Sequence, residues 1–109
     1  MATDWSAVLT DAINAAKAVL AGKWPLVQKL ATTQVTALVE NAKTIEDNKS
    51  SMTADEYETT KRIQQNALAG VLTGVEAIGI VTAEQVADAV WNVIVSALKA
   101  VPELAFLGL

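Results

Sequence analysis

The chain has 109 residues, no cysteine, no histidine, a net charge of −4 and 52 % hydrophobic residues, alanine contributing heavily. That length supports one domain with its own core and needs no disulfide or metal staple. Without imidazole or thiolate, Ser-His-Asp and Cys-His catalysis and the usual zinc and iron sites are excluded, and scattered lysines on an acidic chain do not make a phosphate-tracking surface.

Helical spacing predicts a first helix over residues 4–21, capped by Thr3 or Asp4. Trp5, Val8, Leu9, Ala12, Ile13, Ala16, Val19 and Leu20 form its apolar face, and Asp11, Asn14 and Lys17 its polar one. Gly22 suits a left-handed helix end, and Pro25 suits the first turn of the next helix. A tight corner is therefore expected at Gly22-Lys23-Trp24-Pro25.

The second helix is expected over residues 25–47, with the stripe Val27, Leu30, Ala31, Val35, Leu38, Ala42 and Ile45. Its 3-4 alternation is that of an antiparallel helix pair. A polar turn follows at residues 47–51.

The third helix has the best-marked start, a capping box at Thr53-Ala54-Asp55-Glu56. Its predicted buried stripe is Ile63, Ala67, Val71, Val75 and Ile78, flanked by Leu68 and Leu72. Run from 54 to 79, it would span about 39 Å at the helical rise. A compact chain of this size has a radius of gyration of about 13 Å. So the helix either breaks near Gly70 or Gly74, or pairs with the second helix in a projecting hairpin. The hairpin is the favoured expectation, because half of all charged residues fall between 40 and 62 and would tip it.

A second capping-box pattern, Thr82-Ala83-Glu84-Gln85, predicts a fourth helix over 83–101, closed by Pro102. Gln85, Asp88, Asn92, Ser96 and Lys99 trace a thin polar line along it, and the rest of its circumference is apolar. Such a helix is normally buried against several neighbours. The tail from Glu103 to Leu109 stays apolar, and leaving its Phe106 and Leu107 in water would be unusual. The expected fold is all-α: a single four-helix-bundle-like domain with a long central hairpin and a strongly apolar C-terminal helix.

Few residues invite chemistry. Glu84 and Asp88 lie one turn apart, but two carboxylates fall far short of an oxygen cage. Glu76 shares a face with Asn66 and Thr73 and reads as a solvated acid. No catalytic, cofactor or metal residue is assigned, and no enzyme activity is expected. Gly70 and Gly74 form a G-x-x-x-G step whose helix-propensity cost calls for close approach of another backbone, within the chain or across an interface. Trp5, Trp24 and Trp91 are residue types that anchor interfaces, although each also fits a stripe or a corner.

The apolar stretch 67–101 exceeds what one neighbouring face requires, which points to association. The functional expectation is a non-enzymatic structural or adaptor protein that assembles as a homo-oligomer or docks on another protein. Its predicted interface is Gly70, Gly74, Val90, Trp91, Ile94, Leu98, Phe106 and Leu107. The alternative is a membrane-active protein exposing the 67–101 hairpin to a bilayer, against which the scarcity of nearby cations counts. No nucleic-acid partner and no cofactor are expected. With no basic leader and no run of about 20 apolar residues, a cytoplasmic location is expected. The run from Asn66 to Ile80 and the following Thr82-Ala-Glu-Gln-Val-Ala-Asp-Ala-Val-Trp resemble small helical proteins encoded by bacteriophages and prophages. That resemblance covers about a third of the chain, contains no chemically diagnostic motif, and implies a phage or virion component.

Overall fold

The computed structural model of the chain describes residues 3–48, 51–75 and 77–107, without the side chains of the last two. Helix α1 runs Trp5–Leu20, and Asp4 caps it: its carboxylate accepts the Ala7 amide at 3.1 Å. The face it buries is Val8, Ala12, Ala16 and Leu20. A single 3-10 turn, Ala21–Lys23, then reverses the chain. The left-handed residue in this corner is Ala21, at φ 49° and ψ −120°, one position before the glycine expected to take that role. A side-chain-bearing residue held there costs on the order of 1–3 kcal/mol.

Helix α2, Trp24–Asp47, accepts Pro25 in its first turn, where a missing amide is harmless. It buries Trp24, Val27, Ala31, Val35, Leu38, Val39, Ala42 and Ile45. Leu30, assigned to that stripe from sequence, instead faces outward, and Val39 takes up the inner face. At 24 residues α2 is about 36 Å long by helical rise, close to the molecule's greatest extent of 41 Å.

Helix α3, Ala54–Thr73, starts on the expected capping box: the Glu56 amide donates to Thr53 Oγ1 at 3.1 Å, and the Thr53 amide donates to Glu56 Oε1 at 3.3 Å. It stops at Gly74 rather than continuing to residue 79. Its inner face is also rotated from the predicted one. Tyr57, Leu68 and Leu72 are buried, whereas Ile63 and Ala67 are exposed and Val71 only partly covered. The bulk of Leu68 and Leu72, with Tyr57 fixed by Trp91, outweighs the β-branched stripe.

Helix α4, Ile80–Lys99, begins one turn earlier than Thr82 suggested. Gly79, in extended backbone, is its N-cap, and its carbonyl accepts the Ala83 amide at 3.0 Å. Thr82 and Gln85 thus lie inside the helix, and their capping box does not form. Ala83, Val86, Ala87, Val90, Trp91, Ile94 and Leu98 are buried, while Gln85, Asp88, Asn92, Ser96 and Lys99 form the exposed line read from sequence. A last 3-10 turn, Pro102–Leu107, seats Leu104 fully in the core.

The chain is all-helical, without strands among the described residues. Helix α4 is central, packing on α1, α3 and, more lightly, α2. The expected bundle of four helices is not borne out as such: three helical units pack together. The charged hairpin does not project: Ala42, Ile45 and Tyr57, near its tip, are buried, and the radius of gyration is 13.8 Å.

Candidate functional site

Antiparallel packing gives the molecule two unlike ends. Thr3 donates its hydroxyl proton to the Glu46 carboxylate, which ties the start of α1 to the finish of α2. Val8 and Asp11 of α1 line one shallow cleft with Val93, Ser96 and Ala97 of α4. Gln65 of α3 donates to Asp88 of α4 at 3.1 Å, and Tyr57 meets Trp91. One end therefore holds the α2–α3 turn, the end of α4 and the final 3-10 turn, with most of the charged residues of the 40–62 stretch around it. The other holds the Ala21–Lys23 corner, the start of α2, the end of α3 and the start of α4.

The second end carries the exposed apolar side chains. Leu26, Leu30, Ile80 and Val81 are between 49 and 68 % exposed. Leu26 and Leu30 stand one turn apart on α2, outside the stripe that α2 buries. Ile80 and Val81 open the first turn of α4 and are both exposed. Ile63, midway along α3, is the remaining exposed large apolar residue among those described.

Of the residues predicted to form an interface, Gly70 and Gly74 lie at this same end, on the last turn of α3 and its C-cap. Val90, Trp91, Ile94 and Leu98 are all but fully buried within the chain itself. The face of α4 that seemed surplus is covered by three neighbouring helices rather than one. Gly70 and Gly74 are exposed, and among the described residues no other helix of the chain packs closely on them. A Cβ at Gly70 would meet nothing within 4 Å, and one at Gly74 would meet only the carbonyl oxygens of Val71, at 3.3 Å, and Gly70. The glycines mark the close of α3, with Gly74 as its C-cap. Gly70→Ala is accordingly expected to stabilise the fold by about 0.5–1 kcal/mol, raising the melting temperature by a few degrees in a thermal scan. A lowered melting temperature would restore the close-packing reading. The side chains of Phe106 and Leu107, and all of Glu76, lie outside the described residues.

No known protein family, characterised protein or solved structure matches this chain. Its function has to be argued from its own surfaces.

Chemistry offers little there. Asp88 is engaged by the neutral amide of Gln65 in a polar groove that Asn66, Ala69, Glu84 and Ala87 complete. Among the described residues no three carboxylates gather into a cation site, and no charged side chain is buried. A third depression, beside Met52, Asp55, Glu56, Thr59 and Thr60, is open and acidic. The one buried polar pair among the described residues joins two helices: Trp91 Nε1 donates to the Tyr57 hydroxyl at 3.3 Å, the rings lying 6.4 Å apart at 45°. Burial is the main cause that raises the Tyr57 pKa above 10, with Glu58 adding to it, while the Trp91 hydrogen bond acts in the opposite direction.

The sequence reading missed this apolar end for two reasons. Leu26 is offset by one residue from the Val27 stripe, and a helix beginning at 83 behind a Thr82 cap leaves Ile80 and Val81 outside it. The usable signal was the Leu26–Leu30 pair at i, i+4 beside an already complete stripe.

Proposed function

We propose that the protein is a non-catalytic structural or adaptor module that self-associates through its apolar end. The observation that carries this reading is the placement of Leu26, Leu30, Ile80 and Val81 at the end away from the charge-rich turn. Pairing such ends removes large apolar side chains from water, while the acidic ends of two copies stay far apart in solvent. An isologous pair is the simplest closed arrangement of this kind. The resemblance to phage-encoded helical proteins is in keeping with an assembly role and adds no residue to it. The bilayer alternative finds less support, since no helix among the described residues is long and apolar enough to cross a membrane.

The test is light scattering coupled to gel filtration across a wide concentration range. The wild-type chain is expected to gain mass as concentration rises. Leu26→Gln with Leu30→Gln, or Ile80→Gln with Val81→Gln, is expected to weaken association tenfold or more. Being exposed, these positions should change monomer stability by only about 0.5 kcal/mol each. A wild-type monomer at every concentration would end this reading.

A further inference from the structure

Ala21 is the only non-glycine residue with positive φ among those described, and it sits at the corner between α1 and α2. Its φ and ψ suit glycine, yet the glycine of this corner is the next residue, Gly22, whose backbone has no positive φ. The strain falls instead on alanine, the residue with the strongest preference for a helix. The joint is short, only Ala21–Lys23. Beyond it, α1 has its own cap at Asp4 and packs more heavily on α4 than on α2, to which Thr3 also ties it through Glu46. A short strained joint between one element and the rest of a fold is the arrangement that favours exchange of that element between copies.

We propose that Ala21–Lys23 is a hinge through which two copies of this chain exchange α1, each α1 packing on the α4 of the other. The proposal rests on the self-association reading and gives it a mechanism. The contacts of α1 with α4 and with α2 are both remade in the exchanged pair, with the partner's helices, so the balance is set at the joint. Opening lets Ala21 leave its positive φ. Pro25 opposes a continuous helix, because its ring would meet the carbonyl four residues back, that of Ala21, and it has no amide to donate. Two residues of one joint thus pull in opposite directions.

Substitutions should move the equilibrium both ways. Ala21→Gly relieves the closed corner and is expected to lower the dimer association constant at least about tenfold; Pro25→Ala eases the open form and is expected to raise it comparably, each change counting once per joint and so twice per dimer. Ala21→Gly should also melt higher than wild type, which separates loss of dimer from loss of fold.

Exchange itself is read by cross-linking. The chain has no cysteine of its own, and Asp11 and Ser96 line the same cleft between α1 and α4. In the Asp11→Cys, Ser96→Cys variant a short bismaleimide should join α1 to α4. The dimer fraction is expected to give covalent dimers on a denaturing gel, and the monomer fraction none. Dimers whose cross-links stay within one chain would overturn exchange and leave self-association standing. If neither wild type nor Pro25→Ala forms any dimer, both fall.

Discussion

Trp91→Ala is expected to cost about 3–5 kcal/mol, enough to leave a domain of ordinary stability largely unfolded or molten. Trp91 is the largest fully buried side chain among the described residues and joins α4 to α3 through Tyr57. Its removal leaves a cavity that rigid helices on several sides cannot close, and it strips Tyr57 of its partner. Urea unfolding followed by circular dichroism measures the loss. Tyr57→Phe separates packing from hydrogen bonding, because it keeps the ring and removes only the acceptor of Trp91 Nε1. A buried N–H left without a partner costs about 1–3 kcal/mol. The same variant has a pH signature. The Tyr57 pKa is raised in the fold, so its contribution is fully present below pH 10 and is lost as pH rises through the folded value. Wild type should therefore lose stability at alkaline pH more steeply than Tyr57→Phe. Equal slopes above pH 10 would show that the phenol is not held neutral by burial.

Leu68→Ala and Leu72→Ala are each expected to destabilise by about 2–5 kcal/mol, whereas Ile63→Ala should stay within about 0.5 kcal/mol. The contrast tests the orientation of α3, since the sequence pattern makes Ile63 the first residue of its buried stripe. Leu68 and Leu72 are fully buried, and Ile63 is more than half exposed. Chemical denaturation midpoints at constant slope decide the matter. The reverse order, with Ile63→Ala costly and the leucine variants mild, would require α3 to be turned by about one residue.

The all-helical class was readable because apolar residues recur at helical spacing in every segment, and caps at Asp4 and Thr53 fall where the helices begin. The inner face of α2 was readable for the same reason, except at Leu30. The α3 register was not. Its first three turns are mostly polar, so periodicity alone leaves two adjacent stripes nearly equivalent. A contact distant in sequence, Tyr57 with Trp91, settles which one turns inward. The start of α4 was misplaced because Thr82 and Gln85 form a good local cap, but burying Ile78 and extending Gly79 gains one more helical turn. Val90, Trp91, Ile94 and Leu98, expected at an interface, are buried within the chain for a topological reason. How many neighbours a greasy helix has is a property of the folded chain, not of the helix.

The alanines of the core carry a last consequence. Ala12 and Ala16 of α1, Ala31 and Ala42 of α2, and Ala83 and Ala87 of α4 are buried, and the molecule is only 18 Å across its thinnest dimension. Where backbones meet over a methyl group, almost every substitution adds volume, and a crowded interior rejects added methylenes at about 1–3 kcal/mol. Evolutionary drift is therefore confined most tightly at the positions that look least distinctive. Relatives of this chain would diverge first along its charged surface and keep their smallest residues longest.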